Sequence, residues 1–456
     1  MTLDVKIWGE SIGKLSWNNK GGYAYFMFEN DYVSKGINPT PLTMPFSEWK
    51  PNQFYIFEKN ADSKCFKGLP SFIADSLPDK YGNEIIKAFY ESRGLGETSI
   101  TPLHQLSYIG KRGMGALEFF PTINFNEESS AIDVSVISEL ANDVLFKRSS
   151  FKDLLMQKDK NILDILKIGT SAGGAKPKAI IAYNPATNEV RSGQVKAPEG
   201  FGYYLIKFAG VSSKDNSLGG GKDEVGDGLS THIGVLEYTY HLMAVAAGIK
   251  MSECSLLEEN GKRHFMTKRF DRTPDGEKLH MITLAGIANR DRDLPHGYES
   301  LLSVASKLKL NNDCLDEIFR RMVFNVLARN NDDHTKNHAF LMDRNGRWSL
   351  APAYDLCYSY DPTGRFTSHH QMYINGKNDD FTWKDFEEIA SKWQILKFKE
   401  IVQEVTDAVC DWKKFAKETD LDKGIADFVD KNTISILPGK TYGIHETQRH
   451  TKSLMR

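Results

Sequence analysis

The polar stretch Arg329-Asn330-Asn331-Asp332-Asp333-His334-Thr335-Lys336-Asn337 is where chemistry is most legible in this chain. Its Asp332-x-x-x-x-Asn337 spacing places a carboxylate able to accept a hydroxyl proton beside an amide oxygen able to hold a metal. A second carboxylate follows in Ala351-Pro352-Ala353-Tyr354-Asp355. Hard oxygen ligands of this kind suit Mg²⁺, and no softer ligand set lies nearby. The set fits phosphoryl transfer, with Asp332 as base and Asn337 and Asp355 as metal ligands. The plainer alternative is an Asx-rich turn capping a hairpin.

Regular elements must deliver these groups. Leu315, Ile318, Phe319, Met322, Val323, Val326 and Leu327 recur at helical spacing, which predicts a helix from about Asp313 to Arg329 packed on a core. His338 to Met342 and Arg347 to Leu350 read as two strands around Asp343-Arg344-Asn345-Gly346, with Asn-Gly as a two-residue turn. That turn puts Arg344 opposite Arg347 and Asn337 opposite Tyr354. Asp355 then falls roughly 5–8 Å from Asn337 by cross-strand spacing. Pro352 cannot donate to the ladder, so pairing weakens before that point.

The remaining composition narrows the class. The 456 residues are 40% hydrophobic and 26% charged, as expected of a globular chain of two or three domains. A net charge of -2 gives no global basic field for nucleic acid. Cys65, Cys254, Cys314, Cys357 and Cys410 form no CxxC pair, which points to reduced cytosolic thiols. There is no apolar run of signal-peptide or membrane-span character, so a cytoplasmic protein is expected.

Along the chain, Val5 to Trp8, Tyr23 to Phe28 and Gln53 to Phe57 are strand candidates, and Tyr81 to Ser92 a helix. The glycine spacing of Gly110-Lys111-Arg112-Gly113-Met114-Gly115-Ala116 fits no phosphate-loop fingerprint, so it reads as a structural turn. A helical pattern from Ile132 to Ile168 leads to Gly169-Thr170-Ser171-Ala172-Gly173-Gly174-Ala175-Lys176-Pro177-Lys178. Small residues there let backbone N–H groups approach a ligand, and two lysines add positive charge. Ala179 to Tyr183 is a strand, and Lys207 is the sole charge within the apolar strand Tyr203 to Phe208. Such a lysine is aimed at phosphates or snorkels at an edge, and the first reading is preferred. Ser212 to Ser230 reads as a mobile loop, followed by a helix from about Thr231 to Ala247. Glu237 on that helix reads as a surface charge, an ion pair with Lys207 being the alternative. Arg263 to Thr267 is a strand running into Lys268-Arg269-Phe270-Asp271-Arg272, which would connect two lobes.

Taken together, Ser171 to Lys178, Lys207, Arg269 to Arg272, Asp332 to Asn337 and Leu350 to Asp355 resemble the HipA family. These are bacterial serine/threonine kinases acting as toxins of type II toxin–antitoxin modules. Leu77-Pro78-Asp79, Gly110 to Glu118 and Ile374 to Asn378 are similar to further family elements, so the resemblance covers most of the chain.

The resemblance implies an α+β, two-lobed kinase-like fold. Residues 1–130 would be a β-rich N-terminal subdomain, 131–268 a kinase N-lobe and 269–456 a mostly helical C-lobe. It implies Asp332 as catalytic base, Asn337 and Asp355 on Mg²⁺, and Lys207 on the ATP phosphates. Ala172, Gly173, Gly174, Ala175, Lys176, Pro177 and Lys178 would close over those phosphates. His334, Thr335, Lys336 and Tyr354 would line the nucleotide site, and Lys268, Arg269 and Phe270 would meet the adenine side. Asp333 stands where some relatives have glycine, so Asp332 is favoured as the base on its spacing to Asn337. Ser171 occupies the family's autophosphorylation position, where an added charge of about -1.5 to -2 would compete with ATP for the loop. The implied partners are a HipB-like helix-turn-helix antitoxin, with DNA reached only through it, and an aminoacyl-tRNA synthetase as one substrate. No membrane partner is expected. The basic tail from Lys440 to Arg456 reads as a solvated terminus. A nucleotide-binding co-repressor without catalysis, and a small-molecule or lipid kinase, are the rival readings.

Overall fold

The computed structural model describes residues 1–123, 131–146, 166, 177–210, 225–437 and 440–443. Its first sheet holds β1 (Thr2–Ile7), β2 (Glu10–Asn18), β3 (Tyr23–Phe28), β4 (Tyr55–Ile56) and β5 (Leu117–Phe120) in the order β4-β3-β2-β1-β5. Leu3, Val5 and Ile7 alternate inward on β1, which is the period of two that a half-buried strand requires. β2 was not anticipated. Its alternation is broken by a register shift opposite Val5 and Lys6, and an added Cβ at Gly13 would strike Met27 and Phe26.

A second sheet, antiparallel throughout, contains β6 (Lys178–Asn184), β7 (Glu189–Ser192), β8 (Gly202–Lys207), β9 (Cys254–Glu259) and β10 (Lys262–Lys268), ordered β7-β6-β8-β10-β9. The helix Val225–Ala246 packs on β10 and β9 and buries Leu236, Tyr240 and Ala244. It starts several residues before the expected Thr231, within the stretch read as loop. Further strands are β11 (His280–Thr283), β12 (His296–Gly297), β13 (Ala339–Met342), β14 (Trp348–Leu350) and β15 (Met372–Tyr373). β11, β13 and β14 form the small sheet that carries the site, and the remaining C-terminal part is mainly helical.

The helical reading of Ile132 to Ile168 holds for Val134–Phe146, beyond which most of that stretch lies outside the described residues. Gly169 to Lys176 and Ser212 to Glu224 also lie outside them. The Gly110-to-Ala116 turn is structural, as expected. Gly115 has φ of 74°, its N–H donates to Asp271 Oδ2 at 2.7 Å, and a Cβ there would meet Met281 N at 2.8 Å.

The hydrophobic cores do not follow chain order. The inner face of the first sheet is continuous with the helices of the C-terminal part through residues such as Phe72, Ile282 and Leu301. The helices Lys80–Ser92 and Pro102–Ile109 instead share a core with β6 and β8, through Ile85, Phe89, Tyr108, Ile181 and Ile206. The first 120 residues therefore grip both other parts of the molecule.

Candidate active site

The helix Asn312–Leu327 is capped by the Asn311 side chain, which accepts from Cys314 N–H at 3.2 Å. It buries the apolar stripe read from the sequence and ends at Ala328, after which Arg329 adopts a left-handed φ of 54°. The polar loop then enters a buried hydrogen-bonded chain. Asn330 Nδ2 donates to Asn325 Oδ1 (3.0 Å), Asn325 Nδ2 to the Tyr298 hydroxyl (2.8 Å), and Tyr298 Oη to Asp333 Oδ2 (2.7 Å). Asp333 also accepts from the backbone N–H groups of Gln371 and Met372, at 2.9 and 3.2 Å, and from His370 Nδ1 at 3.2 Å. Burial pushes the Asp333 carboxyl up, but His370, Tyr298 and the backbone donors outweigh it and hold the group below the usual carboxylate range.

The two adjacent aspartates thus differ in kind. The Asp333 side chain is fully buried and occupied, whereas that of Asp332 is 49% exposed. Asp332 N–H donates to Ser359 Oγ at 2.9 Å, and Ser359 donates to Asn330 Oδ1 at 3.1 Å. Asn337 Nδ2 donates to the Asp332 carbonyl at 2.8 Å, which ties the two ends of the loop together. The short turn Thr335–Asn337 closes the loop through Asn337 N–H on His334 O at 2.8 Å.

The hairpin after the loop forms, but its register differs from the expected one. Phe340 pairs with Leu350, Leu341 with Ser349 and Met342 with Trp348, which is one residue off a two-residue turn. Asp343 is the reason. Its carboxylate accepts from Asn345 N–H (2.8 Å) and Arg347 N–H (2.9 Å), and Gly346 takes φ of 77°, giving a three-residue loop from Arg344 to Gly346. Asn337 therefore does not face Tyr354 across a ladder. Tyr354 still reaches the loop, because its hydroxyl donates to Lys336 O at 2.6 Å. Past Pro352 the strand leaves its partner, Ala353 N–H donates to Lys250 O at 2.8 Å, and Asp355 adopts φ of 57°. A left-handed, non-glycine backbone at a residue with chemistry is tolerable for Asp and is retained only where the surroundings enforce it.

Lys207, the last residue of β8, meets this turn from the other sheet. Its Nζ lies 2.6 Å from Asp355 Oδ1 and also donates to Glu237 Oε1 of the helix Val225–Ala246. Burial alone would lower the lysine; Asp355 and Glu237 outweigh it and raise its pKa above the ordinary value. Glu237 is buried, so its reading as a surface charge is corrected, and the alternative pairing is the one that forms. β8 strand, helix and hairpin exit are locked by one ammonium and two carboxylates.

The other expected site residues divide. Pro177 O accepts from Phe208 N–H at 3.2 Å. Lys178 faces Lys207 across the β6–β8 ladder, is buried, and forms an ion pair of 3.3 Å with Asp79. Ser171, Ala172, Gly173, Gly174, Ala175 and Lys176 lie outside the described residues. Phe270 and Tyr354 come together, with ring centroids 5.5 Å apart. Lys268 is exposed and paired with Glu253 at 3.3 Å. Arg269 turns inward instead of offering its side chain to a ligand: it forms a bidentate pair with Asp271 (2.8 and 2.6 Å), to which Arg272 adds a contact of 2.7 Å. Thr335 is buried and its hydroxyl donates to Arg290 O at 3.1 Å. His334 Nε2 stands 4.0 Å from Asp332 Oδ1, and Lys336 is half-buried. Tyr298, His370 and Asn325 were missed. Asn325 is a single polar residue in the apolar run Met322 to Leu327, and Tyr298 and His370 lie in ordinary polar stretches, so none carries a local signal that marks a site.

These groups suit a nucleotide–metal reaction. Asn337 spends its amide nitrogen on Asp332 O, so its amide oxygen is the atom that could bind a metal, and the Asp355 carboxylate is set against the Lys207 ammonium. The oxygen donors are of the kind that fits Mg²⁺, and among the described residues no group of three or more His, Cys, Asp or Glu is placed to hold a metal ion by itself. Among the described residues no helix is long and apolar enough to cross a membrane.

Comparison with known proteins follows this geometry. A HipA chain from Shewanella oneidensis MR-1, solved in complex with HipB and its operator DNA, superposes with a TM-score of 0.63 at 17% identity over 94% of both chains. That likeness extends the fold assignment to the whole molecule. A provisionally named kinase of Haemophilus influenzae is 31% identical over 110 residues, which are 22% of this chain and 32% of the relative. Another of Sinorhizobium fredii is 29% identical over 139 residues, 27% of this chain and 34% of the relative. The chain thus spans about a third of the length of each of these curated relatives. The family described as HipA N-terminal domain matches residues 3–120, and that described as HipA-like C-terminal domain matches residues 170–412. With more than half of its length matched by the latter alone, the chain belongs to the HipA family.

Proposed function

We propose that the protein transfers the γ-phosphoryl group of ATP, with Mg²⁺, to a serine or threonine hydroxyl of another protein, as the toxin of a HipA/HipB-like module. The observation that carries this reading is the bridge from Lys207 to both Glu237 and Asp355, together with an exposed Asp332 whose carbonyl is tied to Asn337. On this reading Lys207 supplies a phosphate-neutralising ammonium, Asp355 a metal-holding carboxylate and Asp332 the base, and phosphoryl transfer depends on positioning and charge neutralisation. Asp332 takes the proton of the acceptor hydroxyl, while Asn337 fixes the backbone from which Asp332 projects. Asn337 and Asp355 would hold Mg²⁺, which when bound neutralises the phosphate oxygens. Lys207 keeps its proton throughout because two carboxylates stabilise it. Phe270 and Tyr354 form the apolar wall suited to a nucleobase, with the backbone of Lys268 to Phe270 beside it.

On this reading Ser171 is the self-modification site, and its phosphate would expel the loop Ala172 to Lys178 from the nucleotide. A HipB-like antitoxin is the partner that would bring the chain to DNA, and an aminoacyl-tRNA synthetase is the first acceptor to test. Intact mass and peptide mapping after incubation with Mg²⁺-ATP, for wild type and Asp332→Ala, test the proposal. One added phosphate on Ser171 in wild type alone is expected. Phosphate elsewhere would keep the kinase and remove the switch. An unmodified starting mass with no gain, and no label passed to a cell lysate, would leave a nucleotide-binding co-repressor in its place.

A further inference from the structure

The helix Asn312–Leu327 carries an ion pair that its apolar stripe does not account for. Glu317 and Arg321 stand four residues apart, opposite that stripe and acid before base, the spacing at which helical side chains meet. Neither faces solvent: Glu317 is 5% exposed and Arg321 3%. A buried ion pair is a poor device for stability alone, since apolar residues of similar volume hold such positions as well or better. What an apolar pair lacks is the means to bond to the backbone of other elements.

Both side chains use that means. Glu317 Oε1 accepts from Arg321 Nε (2.8 Å) and from Lys250 N–H (3.1 Å), and Arg321 Nη2 donates to Ala351 O at 2.9 Å. Lys250 O in turn accepts from Ala353 N–H, and Met251 forms a parallel bridge with Ala353. These bonds close a circuit around Pro352, just past the last bond to β13, which runs from Ala351 N–H to Ala339 O at 3.0 Å. The circuit thus takes over where the ladder, interrupted by a residue without an N–H, gives out. Asp355 comes two residues after Ala353, with the left-handed φ that its surroundings must enforce. The neighbouring Arg320 donates to Ala247 O at 2.8 Å, which ties down the end of the helix Val225–Ala246, the helix of Glu237. One helix therefore reaches the supports of both carboxylates that meet Lys207.

We propose that Glu317 and Arg321 are positioning residues for Asp355: through Lys250 and Ala351 they clamp the hairpin exit, and with it the carboxylate that the site offers to Mg²⁺. The role toward the metal rests on the kinase reading; the clamp itself does not. Supports of this kind, one bond removed from a metal ligand, typically govern metal affinity by about 10- to 100-fold.

The full-length protein is compared with two variants. Glu317→Leu/Arg321→Met leaves no buried charge unpaired, so it should fold without the clamp. Arg321→Lys keeps a charge beside Glu317 but lacks the planar fork that reaches Ala351 as well. Hydrogen exchange of the segment Leu350 to Leu356, without nucleotide or metal, reads the clamp itself. Binding of ADP, with Mg²⁺ and with EDTA, gives the affinity gained through the metal. Both variants should exchange this segment faster and keep a cooperative melting transition. Their metal-dependent gain should fall at least about tenfold, while metal-free ADP affinity holds. Asp385→Asn, which breaks the capping box and the Lys377 ion pair of the helix Trp383–Trp393, is the control for lost stability and should leave both readouts at wild type. Should the double variant fail to fold, Arg321→Lys still gives both readouts. Unchanged exchange would overturn the clamp, and an unchanged metal-dependent gain would overturn the positioning role. A wild type that gains nothing from Mg²⁺ would overturn the kinase reading and this role with it, while hydrogen exchange would still decide the clamp.

Discussion

At the scale of single residues, the two carboxylates on Lys207 decide what the site can do. A lysine buried at a strand end is costly unless compensated, and here Asp355 and Glu237 compensate it from separate elements. Glu237→Gln keeps the shape and removes one charge, so Lys207 should shift toward Asp355. Phosphoryl-transfer turnover should then fall on the order of 100-fold, with the thermal midpoint little changed. Steady-state kinetics beside a melting curve checks this, and unaltered turnover would exclude Glu237 from positioning Lys207. Asp332 and Asp333 show the same logic with the opposite result. Asp333 is occupied by a hydroxyl, a histidine and two backbone donors, and Asp332 is left exposed, as the proposed base must be.

At the scale of elements, the connection between β10 and β11 is anchored by a buried triad. Asp271 accepts from Arg269, Arg272 and the Gly115 backbone, so the glycine turn near the end of the first domain match is clamped onto this connector. Asp271→Asn leaves two buried guanidinium groups against a neutral amide and should cost about 3–5 kcal/mol, read by urea unfolding. Burial pushes the Asp271 carboxyl up, but the two arginines more than reverse this and hold it well below the usual range. A depressed acid contributes stability above its unfolded pKa and loses it as pH falls. The gap between wild type and variant should therefore be full at neutral pH and narrow only below about pH 4.

Considered as a whole, the molecule depends on its N-terminal part packing into two cores at once. Asp79 marks the junction. It caps the helix Lys80–Ser92 through Gly82 N–H (2.6 Å) and pairs with Lys178, the last residue of the proposed phosphate-covering loop. Burial dominates its titration and raises the carboxyl to about 6, although Lys178 and Gly82 N–H oppose this. A raised acid binds its proton more tightly when folded, so its contribution is present at low pH and lost as pH climbs toward 6. Between pH 4.5 and 7 wild type should lose about 2 kcal/mol relative to Asp79→Asn, which cannot titrate. Unfolding midpoints of the two proteins at both pH values test this, and parallel pH dependences would show that Asp79 is ionised in the fold at pH 4.5.

The sequence by itself determined what depends on neighbours along the chain. The apolar stripe from Leu315 to Leu327 specified its helix, Asp332 and Asn337 their loop, and the lone charge in Tyr203 to Phe208 its lysine. The glycine run from Gly110 was legible as a turn because its spacing cannot cradle phosphate. The spacing to Asn337 favoured Asp332, and only the tertiary structure showed that Asp333 is spent on support, because that depends on the groups that surround it. It also decided the hairpin register, where the Asp343 carboxylate captured two amides that the Asn-Gly signal had assigned to a tighter turn. The pairing of Lys207 with Glu237 and Asp355, and of Asp79 with Lys178, joins groups far apart in sequence. Burial sets the strength of such pairs, and burial belongs to the packed molecule and not to any segment of it.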